Sequence, residues 1–179
     1  MNKYSSSIKY GVIAGIIMFV IILMIYFINV NKLAGFLPMI AYVPLIFAMI
    51  WGGITIRREQ GGFKDYGQAF LTVFIISITA TVLFDTLNFT LYKVIDPQIP
   101  VIIKAKVIEN TGEWMEKLGS TDEKTEEALQ RIKDQDFTPT IKSQLIRYAS
   151  SAVIGAIFSA LIGLFVNRPD DRPVVKTYE

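Results

Sequence analysis

The 179-residue chain has no cysteine and no histidine. The first absence excludes disulfides and thiolate nucleophiles and the second excludes imidazole bases, so the usual zinc and haem ligands are missing as well. Charge is scarce too. Charged residues make up 19% of the chain with a net charge of +2, and the basic ones form no single stripe, which argues against nucleic acid as a partner. "GGFKDYGQAF", Gly61 to Phe70, is glycine-rich but lacks the spacing of a phosphate-binding loop and follows no strand. No nucleophile and base can be paired, so the expectation is a non-enzymatic protein without a cofactor or metal.

What is abundant is apolar sequence. Hydrophobic residues make up 52% of the chain and the mean hydropathy is +0.43. They come in blocks, and a membrane-crossing helix needs about 20 of them in succession. Four blocks qualify, at about 8–30, 34–56, 66–92 and 139–166. The predicted fold is all-α: one polytopic membrane domain over 1–179, with four transmembrane helices. An extracytoplasmic helical hairpin at about 97–138 is expected between spans three and four, and a cytoplasmic tail at 167–179. The first block outlasts a signal-peptide core, and "NVNKLAG" after it offers no A-x-A cleavage site, so it is expected to stay as a span.

Orientation follows the lysines and arginines. Lys3, Lys9, Arg57, Arg58, Lys64, Arg168, Arg172 and Lys176 fall on one side, and the first connection on the other side holds only Lys32. Both termini are therefore expected in the cytoplasm. The segment from Pro97 to Thr138 is then outside, with six basic and nine acidic residues.

Its punctuation is helical. Asp96 and Pro97 read as N-cap and N1, Gly119 as a C′ stop, and "STDE", Ser120 to Glu123, as a capping box. "FTPT" then breaks the second helix, with Thr138 and Pro139 starting span four. Asp65 and Gln68 fit the N-cap and N3 positions of span three. Val101, Ala105, Ile108, Gly112 and Met115 step by four and three, an apolar seam that suits the bilayer surface, a homodimer or a membrane protein partner.

Two further stripes lie in the membrane. In span three Ser77, Thr81, Asp85, Asn88 and Tyr92 share one helical face. In span four Ser143, Arg147, Ser151, Gly155, Ser159 and Gly163 recur at every fourth position, a small-residue surface that lets another backbone approach closely. Gly11 and Gly15 make a similar contact in span one, and Pro38 and Pro44 are expected to kink span two. Asp85 and Arg147 each lie seven residues below the expected outer ends of their helices. An unpaired charge there costs about 2.5–3.5 kcal/mol, so an Asp85–Arg147 ion pair is predicted, with Thr81, Asn88 and Ser151 in support. The pair would serve as a structural lock or, alternatively, as part of a small oligomeric transporter or channel.

The order of these signals carries a resemblance. A "YGVIAG" start, "GGFKDYGQAF" entering span three, "LYKVIDP" leaving it, a charged helical insert and a small-residue fourth span resemble the bacterial membrane family catalogued as domain of unknown function 4199. The resemblance covers nearly the whole chain. It implies a four-helix protein of the bacterial inner membrane, and it carries over no catalytic residue.

Overall fold

The computed structural model describes residues 4–167; Lys3, Arg168, Arg172, Lys176 and the rest of the expected tail lie outside the described residues. Four helices are long and apolar enough to cross a membrane: Ser5–Ile28, Leu37–Glu59, Tyr66–Ile95 and Ile141–Val166. These are spans one to four. Between spans three and four stand two further helices, Ile99–Lys117 and Asp122–Asp134, and the described residues contain no strand. The membrane end that carries these two helices is called the hairpin side below.

Span three is the centre of the bundle. Span one packs along one flank of it and span four along another, while span two leans on spans one and three. In lipid no hydrophobic force drives helices together, so close backbone approach and hydrogen bonds must do so. The glycines supply the approach. A Cβ on Gly11 would stand 2.7 Å from the Ile76 carbonyl oxygen, and one on Gly15 would stand 2.8 Å from that of Ala80. Gly155 lies against the Ser77 side chain, where a Cβ would stand 2.8 Å from Oγ, and Gly163 lies against the Phe70 backbone. Met18, Met49, Ile56, Val73, Ile76 and Val166 fill the space between them. The outward faces are studded with exposed Ile, Val, Leu and Phe, as expected where lipid is the solvent.

Span two departs from a simple kink. It runs as a 3-10 segment (Leu37–Tyr42), an α turn (Val43–Phe47), a π segment (Ala48–Gly52) and a final α stretch (Gly53–Glu59). Pro38 and Pro44 sit at the starts of the first two pieces. Each lacks an N–H, so the ladder changes register where a bond is lost. At the end opposite the hairpin, span two is tied down: Arg57 donates to the Val166 carbonyl at 3.0 Å, satisfying an orphan acceptor at the end of span four.

Several expected helix boundaries move by one to three residues. The first hairpin helix starts at Ile99 with Gln98 as N-cap, not at Asp96. The Asp96 carboxylate is engaged elsewhere, accepting from the Gln98 amide at 3.0 Å and the Tyr26 hydroxyl at 2.9 Å. Gly119 is the C′ stop at φ 66°, with Ser120 N–H bonded to Met115 O and Gly119 N–H to Glu116 O. That use of Ser120 removes it from the expected capping box, so Thr121 caps the second helix without a side-chain bond. Thr140, not Thr138, opens span four, in a reciprocal capping box with Ser143. Asp65 caps span three as read, accepting from Gln68 N–H at 2.8 Å.

Candidate functional site: a one-sided polar cleft

Span three turns an unbroken polar face inward. Thr72, Ser77, Thr81, Asp85 and Asn88 are all buried, and Tyr92 is half-buried at the hairpin-side end. Most of these groups look after themselves. The Thr72 hydroxyl donates to Gln68 O, Thr81 to Ser77 O, and Asn88 Nδ2 to Phe84 O, each one turn back in the same helix. Asp85 cannot do this, because a carboxylate only accepts and every N–H of its helix is committed. Its partner comes from span four: the Ser151 hydroxyl donates to Asp85 Oδ2 at 3.0 Å. Thr86 and Tyr148 share a second bond between these spans at 2.7 Å, and Tyr66 donates to Ala160 O at 2.8 Å.

The expected Asp85–Arg147 ion pair is not formed. Among the described residues the ion pairs lie within the hairpin helices, and none joins Asp85 to Arg147 within 4 Å. The reason is register. Span three continues as a π turn to Ile95 and span four begins only at Ile141, so Asp85 is ten residues from its helix end and Arg147 six from its own. Ser151, ten residues from Ile141, is level with the aspartate. Arg147 sits one turn nearer the hairpin side, still within electrostatic range of Asp85, Tyr42 and Tyr92.

A groove of about 300 Å³ lies between spans two and four, running from Thr81 and Ser151 away from the hairpin to Ser77 and Phe158, with Tyr42, Leu45 and Met49 on its span-two wall. One turn higher, a cavity of about 380 Å³ is lined by Tyr92, Gln144, Arg147 and the loop from Gln135 to Pro139. Asp136 in that loop accepts from the Thr138 amide at 2.8 Å, and bonding to Thr138 holds its carboxyl below the usual range. At the other end the bundle is closed: a Cβ on Gly53 would stand 3.0 Å from Val166, and Val73 and Ile162 are buried there. Neither space is lined by residues of that end.

Other expected site residues serve packing. Gly11, Gly15, Gly155 and Gly163 lie at helix contacts, and Ser159 is fully buried with an unpartnered hydroxyl. Along the hairpin seam Val101 and Ala105 are exposed and Ile108 is half-buried, while Met115 lines a separate cavity together with Phe36 and Trp114. Tyr42 and Gln144 were not singled out from sequence. Gln144 precedes Ser151 by two helical turns, so the stripe in span four could have included it.

The architecture is that of a multi-pass helical membrane protein with a cavity and a groove on its hairpin-side half and close packing at the other end. The family described as Protein of unknown function (DUF4199) matches residues 9–168, and the chain belongs to that family. No curated protein and no solved structure matches it.

Proposed function

We propose that this protein is a non-enzymatic binding protein of the bacterial inner membrane, with both termini in the cytoplasm and the hairpin outside. The cleft carries the reading. Ser77, Thr81, Ser151 and Tyr42 bring polar side chains to a groove otherwise walled by apolar ones, and the tightly packed far end of the bundle suits capture better than passage. Spans one, three and four, held by glycine contacts and by the Asp85–Ser151 bond, form the frame, and the irregular span two forms the remaining wall of the groove. A second reading, a small transporter, is favoured by one observation: Asp85 is buried within the spans with a serine hydroxyl as partner and, among the described residues, no cation within 4 Å.

The natural absence of cysteine makes the test direct. Single-cysteine variants Ser151→Cys and Ser159→Cys are exposed in vesicles to a membrane-impermeant thiol reagent from each side in turn. The expected outcome is labelling of Ser151→Cys from the hairpin side alone and none of Ser159→Cys. No labelling of Ser151→Cys from either side would remove the cleft as a binding site. Labelling from both sides, together with a proton or ion flux that Asp85→Asn abolishes, would replace binding by transport.

A further inference from the structure

The cavity and the groove beneath it share one wall. Gln144, Arg147, Ser151, Ile154 and Phe158 are spaced by three and four, so they occupy a single face of span four, and both spaces are lined from that face. Along this face the chemistry changes with depth. The upper part offers the Arg147 guanidinium, the Gln144 amide and the Tyr92 hydroxyl. The lower part is walled by Leu45, Ile46, Met49, Ile154 and Phe158, of which Ile46, Ile154 and Phe158 are exposed on the apolar flank of the bundle.

We propose that cavity and groove together form a binding site for a phosphate-bearing lipid, with Arg147 and Gln144 holding the phosphate and one acyl chain lying between spans two and four. The proposal rests on the binding reading above and names the ligand class. Gln144 Nε2 is buried with no hydrogen-bond partner, a donor that an oxygen-rich ligand would satisfy. Arg147 has no carboxylate within 4 Å among the described residues, and its planar fork of donors matches a phosphate in shape and charge. Asp136, the one acidic residue in the cavity wall, makes no ion pair with Arg147 within 4 Å. Its carboxylate is turned into its own loop toward Thr138, and the Lys104 charge lies within range of it. A soluble anion would fill the upper cavity alone and leave the groove without an occupant. A lipid fills both, and the groove opens where acyl chains already are.

The full-length protein in mild detergent, stripped of lipid, is titrated with dioleoyl phosphatidylglycerol, with inorganic phosphate and with dioleoylglycerol, and thermal stability is followed. Phosphatidylglycerol alone is expected to raise the melting temperature. Arg147→Gln is expected to weaken that response about tenfold in lipid concentration while unfolding like the parent without lipid. Phe158→Trp, which narrows the groove, is expected to weaken it independently, and Val153→Trp, at an exposed position outside both cavity linings, is not. An equal response to inorganic phosphate would mean a soluble anion and overturn the lipid assignment. An equal response to dioleoylglycerol, or a parental response from both Arg147→Gln and Phe158→Trp, would mean general solvation by lipid and overturn it as well. Because the cysteine labelling reports the opening of the cleft by itself, failure of the lipid arms with Ser151→Cys still labelled discards the ligand class and leaves the binding reading standing.

Discussion

Asp85 shows how one residue can be placed correctly by sequence and partnered wrongly. A carboxylate in a membrane helix must be satisfied from a neighbouring element, and the small-residue face of span four is the neighbour that provides the donor. Which residue of that face it meets depends on where each helix ends. The π turn at Leu91–Ile95 lengthens span three at the hairpin side and exchanges arginine for serine opposite the aspartate. A double-mutant cycle tests this. Asp85→Asn with Ser151→Ala is expected to show a coupling of about 1–2 kcal/mol in detergent unfolding, in the range of a hydrogen bond to a charged group in a membrane protein. The cycle of Asp85→Asn with Arg147→Gln is expected to show a smaller one. The reverse order would restore the ion pair as the lock.

At the scale of elements, small residues do different things in different helices. Gly11 belongs to span one, where a Cβ would meet the Ile76 carbonyl oxygen and Thr79 Cβ, each at 2.7 Å. Gly112 belongs to the first hairpin helix, where an added Cβ would meet nothing within 4 Å. Alanine at Gly11 is therefore expected to push spans one and three apart and destabilise the bundle by about 1–3 kcal/mol. Alanine at Gly112 is expected to stabilise its helix by up to about 1 kcal/mol, because only backbone entropy and helix propensity are at stake. Thermal unfolding of the two variants side by side would check both signs. The hairpin is held to itself by local means: the Gly119 stop, and Lys104 Nζ donating to Lys133 O at 2.6 Å in the last turn of the second helix and to Gln135 O at 2.7 Å at its C-cap.

At the scale of the whole molecule, the two ends of the bundle differ in closure and in charge. The end with the Gly61–Gly62 turn carries Arg57, Arg58 and Lys64 and is tightly packed, while the hairpin end is open at the cleft. The orientation proposed above predicts that a protease site inserted beside Gly119 is cut in spheroplasts, whereas one inserted at Gly61–Gly62 is cut only after lysis. All three glycines lie in turns with positive φ and open space around them, so neither insertion disturbs a packed contact. Cleavage with the opposite pattern would invert the molecule and place the cleft mouth in the cytoplasm.

The sequence by itself determined the four spans, the inward polar face of Ser77, Thr81, Asp85 and Asn88, and the close-packing role of Gly11, Gly15, Gly155 and Gly163. These follow from apolar run length and from spacings of three and four, which are properties of single helices. Tertiary structure alone decided that Ser151 rather than Arg147 meets Asp85, that span two breaks into 3-10, α and π pieces, and that it parts from span four to leave a cleft. Each of these depends on the register and divergence of two helices relative to one another. A single turn of offset, about 5.4 Å along the axis, is enough to exchange an ion pair for a hydrogen bond, and the spacing within either helix is unchanged by it.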